Sequence, residues 1–261
     1  MTGLLLRLAG PMQSWGDHST FSVRDTATVP TRSAMIGIIA AAQGRRRGES
    51  MSDLAALEFT VRVDRPGSVM YDFHTVGGGL PPERTVPTAE GKRRAAGAGT
   101  IVSRRFYLAD AVFTVAVTGP DVLIGQVHKA LTSPVWAPYL GRRSCPVEQP
   151  FVLSGPIADA VGHLERLPLN RCRPNRDAAS VSVDFVTGGP GGDGTASRMT
   201  LNDVPVDLDS AAAAAGERRP RRRFLTREVH VSSRSLPVDL CAGIGVKYLD
   251  VLDEHLRGVR T

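Results

Sequence analysis

Six histidines, His18, His74, His128, His163, His230 and His255, are the residues best suited to acid–base chemistry, and they are scattered along the chain. No two stand in an H-x-x-x-H or H-E-x-x-H spacing, and no C-x-x-C occurs, so no local pattern presents ligands to a metal. Nucleophile-elbow and P-loop motifs are missing too. Gly77-Gly78-Gly79 runs into Leu80-Pro81-Pro82 rather than into a helix, so it cannot cradle phosphate at a helix N-terminus. The chemistry left open is metal-free strand cleavage. It needs a base near a 2′-hydroxyl and a cation or acid near the leaving oxygen. His18, in the first polar loop, and His74, at a strand end, are of the right type. Each reads more simply as a solvated or hydrogen-bonded histidine.

Anion binding has better material. Three clusters join arginine to an aromatic ring or to a constrained loop. The first is Gln13-Ser14-Trp15-Gly16 with Arg24, where Trp15 can stack a base or pack as a lid. The second is Lys92-Arg93-Arg94 with Arg104-Arg105-Phe106-Tyr107, a basic excursion tied to an aromatic strand. The third is Tyr139-Leu140-Gly141-Arg142-Arg143-Ser144-Cys145-Pro146. Glycine and proline bracket its arginine pair, which is expected to fix the backbone and point both guanidiniums outward as phosphate forks. A fourth block, Arg218 to Arg223, lacks aromatic interleaving and reads as a charged linker. The net charge of +6 and the pI of about 9.7 agree with an anionic partner. Only three lysines occur, as expected of a GC-rich coding sequence, so placement carries the argument rather than bulk charge.

These clusters need elements to hold them. Leu4 to Ala9 reads as a buried strand ending at the Gly10-Pro11 turn. Thr31 or Ser33 can cap a helix over Ala34 to Gln43, with Gly37 as a close-packing point and Gly44 as its C′ residue. Phe59 to Asp64 alternates as a half-buried strand. Pro66-Gly67 then turns the chain, making Ser68 to His74 its antiparallel partner. Thr75 to Ser103 loses all periodicity, and a loop this long is usually functional or disordered. Arg105 to Val117 reads as one apolar strand, and Asp121 caps a helix over Val122 to Leu131. Phe151 to Leu153 is a short candidate for the last strand of a βαββαβ, ferredoxin-like α+β plan. Further on, Ser180 to Val186 and Arg227 to Ser233 read as strands. Thr187 to Ser197 is a Gly-rich insert, Ala211 to Arg223 a loop, and Tyr248 to Leu256 a short helix.

The chain of 261 residues, 42% of them hydrophobic, suits one large domain with a small appendage. Three spaced cysteines, Cys145, Cys172 and Cys241, argue against a disulfide framework and for small buried or half-buried thiols in a reducing cytoplasm. No apolar run reaches the ~18 residues of a membrane span. Met1 to Ala9 is expected to be a strand rather than a signal peptide.

Five segments together resemble the CasD family of type I-E CRISPR Cascade subunits. They are Leu4 to Gly16, Pro30 to Ala42, Tyr107 to Phe113, Leu140 to Pro146 and Arg227 to Val229. The resemblance implies a RAMP-type ferredoxin-like domain over residues 1–155, with a thumb hairpin at 75–105. A small C-terminal β region would span 156–234, and a tail of unassigned role would follow at 235–261. It implies that the chain binds guide RNA (crRNA) at its 5′ repeat-derived handle, without cutting it and without cofactor or metal. The Cascade backbone subunit would meet the thumb, the large subunit would lie nearby, and target DNA would be met only through the complex. The expected RNA contacts are Gln13, Ser14, Trp15, Arg24, Arg32, Ser33, Lys92, Arg93, Arg104, Arg105, Tyr107, Arg142, Arg143 and Ser144. Two alternatives stay open: a metal-independent endoribonuclease that cuts repeat RNA, and a scaffold whose thumb and Gly-rich insert touch only protein.

Overall fold

The computed structural model describes residues 2–18, 22–85, 87–88, 90–95, 99–174, 177–189, 196–206 and 223–260. Its centre is β1 (Thr2–Ala9), where every residue after Thr2 is buried. Leu4, Leu6 and Leu8 face one apolar cluster and Leu5 faces another, which is why the strand reads as a continuous apolar run. The exception is Arg7. Its guanidinium lies 5.4 Å from the centroid of the Tyr248 ring and 3.3 Å from Glu148, so charge and alkyl stem are both accommodated.

The main sheet has seven strands. β4 (Glu58–Arg65) and β1 both pair antiparallel with β7 (Val112–Thr118). Short β8 (Ile157–Ala158) and a bridge from Leu6 to Val152 cover the far side of β1. On the other edge β9 (Ser180–Thr187) pairs with β4. Next come β11 (Arg223–Pro237) and then the edge strand β10 (Ser197–Val206). The strands of the second half are therefore continuous with the first sheet. Helices α1 (Arg32–Ala42) and α2 (Asp121–Thr132) bury Met35, Ile39, Ile124 and Val127 against one face. Helices α3 (Ala160–His163) and α4 (Val246–Arg260) bury Ala160, Tyr248 and Leu252 against the other. The result is an α+β fold with helices on both sides of an antiparallel sheet.

A second, smaller sheet carries β2 (Met12–Gln13), β3 (Val23–Arg24), β5 (Ser68–Val76) and β6 (Ile101–Ala109). It leans on the first core through Trp15, Tyr107 and Leu108.

Several sequence expectations need correction. Ser68 to His74 does not pair with β4; it pairs with β6 in the second sheet, because both sides of β4 are taken by β7 and β9. Arg105 to Val117 is two strands. Asp110, at φ 60°, breaks the run and sends its halves into different sheets. Gly37 is exposed with open space around its Cα, so it marks no close packing. Pro120 rather than Asp121 is the N-cap of α2. Strand β10 escapes the periodicity because Asn202, Asp203 and Pro205 interrupt its apolar positions. An edge strand with a register shift at Asn202/Val204 tolerates them. Helix α4 is longer than expected and belongs to the second core rather than to a free tail. Cys172 is exposed, whereas Cys145 is buried, where burial pushes its thiol pKa up. The basic block Arg218 to Arg223, but for the backbone of Arg223, and residues 190–195 of the Gly-rich insert lie outside the described residues.

One polar network crosses the second core. Arg62 and Asp64 are fully buried and paired at 2.7 Å. Arg62 also donates to the carbonyls of Leu164, Leu167 and Pro168. Asp64 accepts from Thr114 Oγ1 at 3.1 Å and from the Asn170 backbone N–H at 3.3 Å. Arg171 closes the set by donating to the Asp64 and Val63 carbonyls. The segment after α3 is thus pinned to the sheet by carbonyls that would otherwise be buried without donors. Arg62→Ala leaves Asp64 uncompensated. It is expected to cost about 3–5 kcal/mol, read as a lower urea midpoint with an unchanged slope.

Candidate nucleic-acid interface

The loop after β1 is built inward. Gln13 Nε2 donates to the carbonyls of Leu8 at 3.1 Å and Ala111 at 2.8 Å, and its Oε1 accepts from the Trp15 indole N–H at 3.2 Å. Ser14 Oγ donates to the Phe106 carbonyl at 3.1 Å. Gln13, Ser14 and Trp15 are all buried, Trp15 completely. They were expected at the RNA surface. The pairing of β2 with β6 immediately after the Gly10-Pro11 turn instead folds the indole into the core. In this chain Trp15 presents no ring face to a base.

The Tyr139–Pro146 turn docks on that loop. Gly141 has φ +83°, and a Cβ added there would stand 1.6 Å from the Ser14 carbonyl oxygen. The Ser14 N–H donates to the Leu140 carbonyl at 3.0 Å, and Leu140 N–H to Cys145 O at 2.8 Å. The two arginines of the turn then diverge. Arg142 lies 4.5 Å from the centroid of the Tyr107 ring and donates from Nη2 to the carbonyls of Arg24 at 3.0 Å and Asp25 at 3.4 Å. Arg143 and Ser144 are exposed. The expectation of two outward guanidiniums thus holds for Arg143 and is corrected for Arg142, which ties the turn to the end of β3 and to the Tyr107 ring of β6. Tyr107, also expected at the RNA surface, is buried beneath it.

Beside this turn, β3 pairs parallel with β6, setting Val23 opposite Arg104 and Arg24 opposite Arg105. Arg105 Nε donates to Ser103 Oγ at 3.2 Å. Arg24, Arg104 and Arg143 make no side-chain hydrogen bond or ion pair with the described residues, so their charges face solvent. Lys92 is exposed as well, while Arg93 donates to the Thr85 carbonyl and braces its own loop.

Arg32 is a second correction. Its guanidinium donates to the Leu57 and Ala55 carbonyls, each at 2.7 Å, and lies 5.5 Å from the centroid of the Phe59 ring. Desolvation by burial lowers its pKa, and Glu58 opposes that. Its backbone N–H donates to Asp203, which also pairs with Arg227 at 2.7 Å. Arg32 therefore ties α1 to β10 and β11, and both of its Nη groups donate to backbone carbonyls. Ser33 lies beside it, 3.4 Å from Thr31 Oγ1.

His18 and His74 each pair with a neighbouring carboxylate. His18 Nδ1 is 2.8 Å from Asp17 Oδ2, and its Nε2 lies 2.6 Å from Asn202 Nδ2, so both ring nitrogens are engaged. His74 pairs with Asp72 at 3.2 Å. Among the described residues no three His, Cys, Asp or Glu side chains gather to hold a metal. No helix there is long and apolar enough to cross a membrane.

Sequence reasoning missed two rings, Tyr71 and Phe73. Tyr71, Phe73 and Phe106 line an open groove with Arg104. The alternation of Val69, Tyr71 and Phe73 could have singled them out, but it reads as the buried face of a strand. Only the pairing of β5 with β6 away from the main sheet leaves that face uncovered.

Comparison with known proteins decides the family. The model of the family described as CRISPR-associated protein (Cas_Cas5) matches residues 3–221. The chain belongs to the CRISPR-associated Cas5 family. This Cas5-family chain is 38% identical to the "CRISPR system Cascade subunit CasD" of Escherichia coli (strain K12) over 164 residues, 58% of this chain and 69% of that relative. In structure it is similar to a chain of a "CRISPR RNA-guided surveillance complex", with a TM-score of 0.84 and 48% identity. That match covers 98% of this chain and 99% of the other. A second solved structure, "Crystal structure of Cas protein", matches with a TM-score of 0.55 at 29% identity, over 94% of this chain and 99% of that one.

The turn gives a pair of contrasting variants. Gly141→Ala forces a Cβ against backbone at positive φ and should destabilise the fold by about 3 kcal/mol or more. Arg143→Ala should stay within about 0.5 kcal/mol of the parent, as an exposed side chain with no partner. Chemical denaturation of the two proteins measures both.

Proposed function

We propose that this Cas5-family chain is a non-catalytic, guide-RNA-binding subunit of a type I-E Cascade, holding the 5′ repeat-derived handle. The observation that carries the reading is the end-to-end similarity to a chain of an RNA-guided surveillance complex at 48% identity. The site chemistry agrees. Arg24, Arg104, Arg105 and Arg143 stand on neighbouring strands and an adjoining turn, suited to the phosphates of a splayed single strand. Lys92 and Arg93 extend the positive charge onto the loop. Gln13, Ser14, Trp15, Tyr107 and Arg142 act beneath that surface, shaping the backbone that presents it. The direct contacts are Arg24, Arg104, Arg143 and Ser144, while Arg32 and Ser33 anchor α1.

The strand order supports a ferredoxin-like plan. β4, β7, β1 and the 151–158 segment run in the order 2-3-1-4, with α1 and α2 packed on one face. In this reading the β5–β6 hairpin with residues 77–100 is the thumb, and it reaches the adjacent backbone subunit. The large subunit lies across the handle, target DNA is met only through the assembled complex, and the setting is the cytoplasm. Residues 1–155 form the RAMP domain, and the later strands and α4 buttress it.

Two measurements on the purified chain and its complex test this. Binding of labelled handle RNA should weaken with salt. Arg143→Ala should lower the slope of log K against log [salt] by about 0.7, one phosphate contact on a single strand. Repeat RNA incubated with the chain in EDTA should stay intact. Cleavage that disappears in His18→Ala or His74→Ala would replace the binding role by the endoribonuclease one.

A further inference from the structure

Strands β5 and β6 form a two-stranded arm with one uncovered face. Tyr71 stands opposite Phe106 and Phe73 opposite Arg104, so these four side chains project on the same side. Tyr71 and Phe73 are 64% and 62% exposed, far more than large rings tolerate without a partner. The Tyr71 and Phe106 rings lie 5.9 Å apart between centroids at a 40° tilt. Together with Phe73 and Arg104 they line a shallow groove of about 430 Å³.

We propose that this face is a stacking platform for unpaired nucleobases of single-stranded RNA, with Arg104 on the phosphate between them. It rests on the RNA-binding reading above and assigns it a site on the arm. Two features favour a nucleic acid over a protein occupant. The apolar surface is largely ring faces, which every base can stack on regardless of sequence. A guanidinium without partners among the described residues sits in the row of rings, which a purely apolar protein contact would leave buried and unpaired.

The test uses the full chain and an unstructured RNA of roughly ten nucleotides with 2-aminopurine at successive positions. The parent should quench the fluorophore at one or two positions. Tyr71→Leu and Phe73→Leu, which keep an apolar side chain but lose the π face, should abolish the quench. They should also weaken binding by about five-fold to a hundred-fold each. The salt slope should stay at the parent value, because no phosphate contact is removed. Arg143→Ala should do the reverse, lowering the slope and keeping the quench. RNA binding by both leucine variants with parental affinity and quench overturns the platform and leaves the RNA-binding reading standing. Parental RNA binding with lost assembly into the complex makes the face a protein contact and likewise overturns it. Absence of any RNA binding by the parent, alone and in its complex, removes both.

Discussion

At Gly141 the backbone approaches the Ser14 carbonyl so closely that a Cβ would stand 1.6 Å from its oxygen. This contact joins the turn at 139–146 to the loop that leaves the central strand. Much of the candidate interface depends on it. It sets where Arg142 begins, and therefore how that guanidinium lies over Tyr107 and reaches the carbonyls at Arg24 and Asp25. Those bonds hold β3 against β6. The positions of Arg24 and Arg104 follow from that register.

The body beneath is held by polar groups that are not available for ligand. Arg62 and Asp64 are buried together and satisfy the carbonyls of the segment after α3. Arg32 is bonded to the Leu57 and Ala55 carbonyls, and Asp203 joins α1 to the two outer strands. The buried Arg62–Asp64 pair persists because the guanidinium nitrogens and the carboxylate oxygens find hydrogen-bond partners. The same chain thus uses arginine in two ways: bonded to carbonyls and carboxylates to fasten elements, or exposed and unpartnered to meet an anion. Type and spacing are identical in the two cases.

That duality governs how the site could be read from the primary structure. Arg142 and Arg143 are neighbours in one motif, yet one is a fastener and the other faces solvent, because a turn sends successive side chains in opposite directions. Trp15 follows small polar residues past a strand end, which suits either a ring that stacks on a base or one that packs as a lid. The pairing of β2 with β6 buries it. Tyr71 and Phe73 alternate like a core face, yet they are open because their strand left the main sheet. In each case the local pattern is real, and the missing information is which surface the neighbouring strand covers.

Alternating and continuous apolar runs are local properties, so they marked β1, β4, β9, β11, α1 and α2 without any partner in view. The five motif segments carried the family in the same way, and the scattered histidines left no spacing for a local metal motif. Pairing is not local. Whether β5 meets β4 or β6, whether residues 101–118 are one strand or two, and whether β10 exists at all depend on which edges are already occupied. Depending on those pairings, arginines of one chemical type end as structural fasteners or as a charged surface. Residue type and spacing determined the elements, the family and the excess of positive charge. Only the tertiary structure decided which of those charges and rings are free, because exposure is set by contacts between residues far apart in the chain.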